Sequence, residues 1–160
     1  MIMNKDQVKY IVIHCSATRS NTSYPGWQLD LDHRARGFSR AGYHFYVRRN
    51  GEIERLRSLT RPGAHVRGYN RCSIGVCYEG GLDEAAHIAD TRTEEQRRSL
   101  ERLLKGLCRA YPLAIIVGHR DLSPDLNGDG LIEPSEWVKA CPSFDARQAY
   151  SHLCTGRRLG

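Results

Sequence analysis

Residues 113–144 read LAIIVGHRDLSPDLNGDGLIEPSEWVKACPSF, and this stretch joins a predicted strand to two candidate metal ligands. The apolar run 113–117 has the composition of a buried strand. His119 follows that strand, and Cys141 stands at the other end of the loop. A third candidate, His14, ends an apolar strand predicted over residues 7–14. Two imidazoles and one thiolate suit zinc, and three protein ligands leave a fourth position open, as in catalytic sites.

The rest of the chain predicts an α/β fold, with helices over a mixed central sheet of about five strands. Thr93 and Gln96 form a capping box before a helix whose leucines recur with helical spacing. The dipeptide Asn50-Gly51 predicts a hairpin turn. We predict the other strands over residues 42–49, 52–56 and 73–78, and the other helices over residues 27–35 and 144–153.

Length and charge limit the class of protein. A chain of 160 residues predicts one domain over residues 1–160, with a basic tail at 156–160. The net charge of +6 favours an anionic partner, such as nucleic acid, acidic lipid or an anionic cell wall. No nucleic-acid motif is present and no apolar run reaches membrane-spanning length, so we expect neither nucleic-acid binding nor membrane insertion. A monomer is the default expectation.

The N-terminal residues lack the pattern of a signal peptide, which predicts synthesis and folding in the cytoplasm. Six cysteines are present without a C-x-x-C pair. Disulfides are rare in the cytoplasm, so we expect none here. Every cysteine except Cys141 is interpreted as a small core residue.

Six motifs occur in order along the chain and together resemble one family. They are IVIHCSAT at 11–18, GYHF at 42–45, GAH with GYN at 63–70, SIGV at 73–76, GHRD at 118–121 and KACP at 139–142. This series resembles the phage-lysozyme type N-acetylmuramoyl-L-alanine amidases, which are related to the peptidoglycan recognition proteins. The resemblance covers residues 9–145, nearly the whole chain.

The resemblance implies a zinc enzyme that hydrolyses the amide between N-acetylmuramic acid and the L-alanine of the peptidoglycan stem peptide. It implies His14, His119 and Cys141 as zinc ligands and Tyr43 and Lys139 as the catalytic pair. Hydrolysis of an amide needs help because the carbonyl is a poor electrophile. Lys139 could stabilise the developing oxyanion, and Tyr43 could donate a hydrogen bond to the water or the intermediate.

Four further residues lie within the same motifs and need an interpretation. His65 and Asn70 lie in a polar loop that would line the substrate cleft, although capping of that loop explains them equally well. Cys15 stands where relatives often have a second histidine, and we do not expect it to bind the metal. His44 follows Tyr43 on the predicted strand and would face the opposite side, so we interpret it as structural.

The segment between His119 and Cys141 contains a second candidate metal site. Residues 125–136 match a twelve-residue EF-hand calcium loop. Its ligands would be Asp125, Asn127, Asp129, the backbone of Leu131, and Glu136. Ser123-Pro124 replaces the usual entering helix, so the alternative is a turn that starts a short helix at Pro134.

Two functional classes remain open from the sequence. The first is a zinc amidase acting as a phage or prophage endolysin, released to the cell wall by a separate membrane protein. The second is a peptidoglycan-binding module on the same fold without activity. By resemblance, binding-only members lack one or more zinc ligands, whereas this chain keeps all three.

Overall fold

A mixed five-stranded sheet has the order β4 (Ile53–Arg55), β3 (Phe45–Val47), β5 (Ser73–Tyr78), β1 (Tyr10–Cys15) and β7 (Ile115–Gly118), so that β1 is an interior strand. The structure is a computed structural model that describes residues 2–154, so the predicted tail 156–160 lies outside the described residues. A two-stranded pair, β2 and β6, lies beside the sheet. The strands are β1 Tyr10–Cys15, β2 Thr18–Arg19, β3 Phe45–Val47, β4 Ile53–Arg55, β5 Ser73–Tyr78, β6 Gly81–Leu82 and β7 Ile115–Gly118; the helices are α1 Gly26–Ala35, α2 Glu94–Ala110 and α3 Ala146–Tyr150.

The parallel core of the sheet explains where the site forms. β1 pairs in parallel with β5 on one side and β7 on the other, so that Val12 lies opposite both Gly75 and Val117. Strand β1 is enclosed in this way and reads as a continuous, fully buried apolar run at residues 11–13. All three strands deliver their carboxyl ends to the same edge of the sheet. His14 and His119 therefore emerge side by side.

The predicted hairpin forms, but its strands are short. β3 and β4 pair antiparallel around a turn in which Gly51 has φ +89°. Residues 42–44 lie outside β3, although the His44 backbone still forms hydrogen bonds with Gly75 and Leu56. The chain before His44 instead approaches the neighbouring loop closely at Gly42. Its carbonyl accepts a hydrogen bond from the Ala64 amide at 3.0 Å, and a Cβ there would lie 2.1 Å from the Ala64 carbonyl oxygen. This bend carries Tyr43 out of the sheet and toward the site.

Helix α2 confirms both its predicted cap and its predicted buried face. The Thr93 hydroxyl accepts from the Gln96 amide, and the Gln96 side chain accepts from the Thr93 amide. Leu100 and Leu104 are fully buried against the sheet. Within residues 2–154, no helix is both long and apolar enough to cross a membrane.

The expectation that no disulfide forms is wrong. Cys108 near the end of α2 and Cys154 are disulfide-bonded, with Cα atoms 5.3 Å apart across 46 residues of sequence. Cys108 was interpreted as a small core residue because its position follows the apolar pattern of the helix. The pairing requires α3 to bring Cys154 back to the end of α2. No local sequence pattern predicts that the two cysteines come together.

Candidate metal centre and active site

Three candidate ligands meet at the carboxyl edge of the sheet. One ligand atom from each of His14, His119 and Cys141 lies within 4.8 Å of the others. The Cys141 sulfur accepts a hydrogen bond from the Cys15 backbone amide at 3.1 Å, which by itself favours a thiolate. The neighbouring Cys15 thiol and burial nevertheless raise the pKa of Cys141 well above its usual value, so the thiol would lose its proton when a metal binds. The Arg120 amide donates to the Cys141 carbonyl at 3.0 Å and so ties the segment carrying the thiol to the residue after His119.

This donor set fits zinc. Two imidazoles and a thiolate within 4.8 Å of one another match the ligand types and count of a catalytic zinc site. Cys15 is buried beside the group but does not belong to it; its sulfur lies 3.7 Å from the Ser143 hydroxyl.

A chain of hydrogen bonds behind His14 fixes which ring nitrogen is free for a metal. The Ser73 hydroxyl donates its one proton to the Tyr69 carbonyl at 2.7 Å. It therefore accepts, at 3.2 Å, from Nε2–H of His65. The other nitrogen of His65, Nδ1, then accepts from Nε2–H of His14 at 2.8 Å. The lone pair left on His14 is on Nδ1, the arrangement that outer hydrogen bonds impose on metal-ligating histidines.

Burial keeps these histidines neutral. It lowers the pKa of His14 and of His65 well below the ordinary value, and neighbouring histidines lower both further. Burial, with the charge of Lys139, lowers the pKa of His119 to about 4. Neutral imidazole is the form that binds a metal ion.

Tyr43 and Lys139 both line the cleft above the three candidate ligands. The Tyr43 ring centroid is 4.8 Å from that of His14. Burial raises the pKa of Tyr43 well above its usual value, so its hydroxyl keeps the proton and acts as a donor. Lys139 is exposed on the cleft, with its ammonium group free to approach a substrate.

His65 and Asn70 also line the cleft, but their polar atoms serve the protein itself. The Asn70 side-chain oxygen accepts from the amides of His65 and Val66 at 2.9 and 3.0 Å, which is the loop-capping role. His65 supports His14. Sequence reasoning missed this support and Ser73 entirely, since the partners come together only in the folded chain.

His44 is fully buried away from the cleft, as its structural interpretation requires. Its Nε2–H donates to the Arg61 carbonyl at 2.7 Å, and its Nδ1 accepts from the Gly75 amide at 3.0 Å. Both ring nitrogens are therefore used in the neutral form.

The cleft has a volume of about 830 Å³ and opens directly onto the candidate ligands. Its wall carries three cationic side chains, from Arg36, Arg67 and Lys139, one acidic side chain, from Asp32, and several apolar ones, among them Phe38, Val66 and Val138. Such a lining suits an extended substrate that has both carboxylates and small apolar groups.

Comparison with known proteins agrees with this geometry. Residues 4–143 match the family model described as N-acetylmuramoyl-L-alanine amidase. The endolysin of Enterobacteria phage K11 is 34% identical over 144 residues, covering 90% of this chain and 86% of that protein. Among solved structures, the N-acetylmuramoyl-L-alanine amidase LysC from Clostridium intestinale URNW shares the fold, with a TM-score of 0.72, 24% identity, and coverage of 96% of this chain and 89% of that chain.

A second solved structure has tracheal cytotoxin bound to the ectodomains of the peptidoglycan recognition proteins LCa and LCx. It matches with a TM-score of 0.68 and 22% identity, over 94% of this chain and 85% of that chain. The predicted fold class is thus confirmed. By the family match over residues 4–143 and the similarity to a phage endolysin, the chain belongs to the N-acetylmuramoyl-L-alanine amidase family.

Proposed function

We propose that this amidase is a zinc enzyme whose ligands are His14, His119 and Cys141. The observation that carries the proposal is the convergence of these three residues, from opposite ends of the chain, within 4.8 Å at the floor of an open cleft. When bound there, zinc would activate water and polarise the scissile carbonyl. Calcium has no part in this catalytic proposal, because the loop 125–136 lies outside the cleft lining.

Two side chains of the cleft would supply the remaining catalytic help. Tyr43 keeps its proton because it is buried, so it can donate a hydrogen bond to the oxygen that becomes negative in the transition state. The positive charge of Lys139 would stabilise the same oxygen. Donors of this kind are each worth about 2.7–4 kcal/mol in a transition state.

The substrate proposed is the lactyl–L-alanine amide of peptidoglycan. The cationic side chains of Arg36 and Arg67 flank the cleft and would attract the carboxylates of a stem peptide. The protein of similar fold that holds tracheal cytotoxin supports a peptidoglycan ligand for this architecture.

We further propose that the biological role is that of a phage or prophage endolysin acting on the cell wall after its release from the cytoplasm. The similarity to the phage K11 endolysin across 90% of the chain supports this role. The net charge of +6 is suited to an anionic wall. The alternative, a binding module without activity, is disfavoured because all three candidate ligands are present and assembled.

Metal content and hydrolysis measured together test the proposal. Wild type should purify with equimolar zinc and should release stem peptides with new L-alanine amino ends from purified peptidoglycan. The variant Cys141→Ala should lose both properties. Cys72→Ala, which removes a free thiol that is not among the candidate ligands, should retain both. Wall binding by zinc-loaded wild type without any cleavage would refute the enzymatic proposal and favour the recognition module.

A further inference from the structure

The loop 125–136 gathers acidic groups outside the catalytic cleft. Carboxylate oxygens of Asp125, Asp129 and Glu136 lie within 4.8 Å of one another. Among residues 2–154, no lysine or arginine forms an ion pair with any of the three. Three carboxylates at this distance repel one another unless a cation or a proton lies between them.

Glu136 adds an independent observation. Its side chain belongs to a residue only 5% exposed, although the rest of the acidic group is at the surface. One carboxylate oxygen, Oε2, accepts from the Leu126 amide at 2.7 Å. The other oxygen, Oε1, is buried and has no hydrogen-bond partner in the described chain. A buried carboxylate oxygen without a partner carries a desolvation cost, so it indicates a ligand that the protein is built to accept.

The loop backbone is already shaped around the cluster, since both Asp125 oxygens accept from backbone amides, those of Gly128 at 3.0 Å and Gly130 at 2.7 Å.

We propose that the loop 125–136 binds a calcium ion. The ligand positions are those of a twelve-residue calcium loop, in which positions 1, 3, 5, 7 and 12 bind and position 6 is glycine. Gly130 holds position 6 with φ +83°, and Glu136 holds position 12 with a free oxygen. The ligands are the side chains of Asp125, Asn127 and Asp129, the carbonyl oxygen of Leu131, and the Glu136 carboxylate.

Hydrogen bonds connect this loop to the catalytic centre. The Val138 amide donates to the Ser123 hydroxyl at 3.1 Å, which closes the stem of the loop. The Arg120 guanidinium lies 4.1 Å from the Trp137 ring centroid, and its backbone amide holds Cys141. Calcium at Glu136 therefore restrains the segment that carries Lys139 and Cys141. The binding claim stands without the zinc proposal, because it uses none of the same ligands.

Thermal unfolding of the full zinc-loaded chain tests calcium binding. Adding calcium to about 100 times its Kd should raise the Tm of wild type by about 5 °C. Glu136→Gln keeps an acceptor for the Leu126 amide but loses the charge, so its Tm should not respond. Glu101→Gln, an exposed site on α2, is the matched control and should respond like wild type. Absence of a shift in wild type at millimolar calcium overturns the proposal.

Terbium luminescence gives a second readout that does not depend on a variant folding. Terbium prefers the same oxygen ligands, and Trp137, next to Glu136 in sequence, should sensitise its emission in the wild type. Calcium should displace the signal at lower concentrations than magnesium does. Emission that persists in saturating calcium would contradict the assignment. Release of stem peptides should be measured on the same samples. Samples that release stem peptides but bind no calcium would overturn the calcium proposal alone and leave the amidase proposal intact.

Discussion

His14 depends on Ser73 although the two residues do not touch. The hydroxyl of Ser73 orients His65, and His65 in turn accepts from His14 Nε2–H at 2.8 Å. Without Ser73, the His65 ring can carry its proton on Nδ1 and donate to His14 Nε2. The proton of His14 would then be on Nδ1, the nitrogen otherwise left free for a metal. Removal of such an outer partner typically lowers metal affinity about 10–100-fold.

Ser73→Ala should therefore weaken zinc binding by roughly 10–100-fold while the fold remains intact. Competition with a chromogenic zinc chelator measures this affinity directly. Ser99→Ala removes another buried hydroxyl, one that donates to the Gly51 carbonyl far from the site, and should leave the zinc affinity unchanged. Equal zinc affinity for Ser73→Ala and wild type would show that the hydrogen-bond chain does not position the ligand.

Tyr43→Phe separates chemistry from metal binding. The change removes the donor hydroxyl but keeps the ring that packs 4.8 Å from His14. We expect kcat for stem-peptide release to fall about 10²–10³-fold. Zinc content should stay equimolar. Tyr10→Phe, which lies at the opposite end of β1, should have wild-type kcat. A Tyr43→Phe variant with full activity would remove Tyr43 from the proposed mechanism.

At the residue scale, the sequence predicts the functional residues that belong to recognisable motifs. It does not predict residues whose role depends on a contact that forms only in the folded chain. His14, His119 and Cys141 follow strands or stand in ordered motifs, and the structure brings them together. The part played by His65 depends on a partner 51 residues away, with no spacing rule to report it. The same limit explains the Cys108–Cys154 disulfide.

At the scale of elements, Glu79 connects the end of β5 to two other segments. It is almost fully buried, and its carboxylate accepts from the Arg48 guanidinium at 2.9 Å, the Arg49 amide at 2.8 Å and the Tyr24 amide at 2.6 Å. Burial alone would raise the pKa of Glu79, but these hydrogen bonds lower it, so the group stays charged.

Glu79→Ala should lower the free energy of unfolding by about 3–5 kcal/mol, because it leaves Arg48 and two amides without their acceptor. Urea denaturation measures the loss. Glu101→Ala removes an exposed carboxylate from α2, and its midpoint should stay close to that of wild type. A Glu79→Ala midpoint equally close to wild type would mean that water replaces the carboxylate at no cost.

Elements with strong local signals were predicted well, and weak ones were not. The capping box and the leucine spacing predicted α2 correctly, because both signals come from residues close together in sequence. The strand predicted over residues 42–49 covers only Phe45–Val47 in the structure. The contact between Gly42 and Ala64 joins residues far apart in sequence, so no local pattern predicts where the strand begins. The pair β2 and β6, two residues each, is too short to leave a periodic pattern.

At the scale of the whole molecule, the disulfide closes a loop of 46 residues that contains β7, the candidate calcium loop and α3. By the chain-entropy model a loop of this length contributes about 4 kcal/mol under oxidising conditions. Cys154→Ser should therefore lower the Tm of the oxidised protein, whereas under reducing conditions the variant and wild type should coincide. Cys72→Ser, at a free thiol, controls for loss of a cysteine. A wild-type Tm that does not change on reduction would contradict this expectation.

Acid should destabilise the metal-free protein through its buried histidines. Burial lowers the pKa of His44 to about 4, below the value of about 6.5 for an unfolded chain. The unfolded state then binds more protons, so the stabilising contribution is complete above about pH 6.5 and is lost as the pH falls toward 4. Tm measured from pH 7 to pH 4.5 should fall less steeply for His44→Gln than for wild type. His87→Gln, at an exposed histidine, should follow wild type, and parallel slopes for all three would refute the assignment.

The position of β1 has a consequence for how the proposed zinc site is assembled during synthesis. This strand is translated before both of its neighbours, β5 and β7, and before Cys141. A nascent chain therefore lacks the proposed thiolate ligand until translation has passed residue 141. A nonsense codon before that position should yield a product that cannot form the proposed three-ligand site.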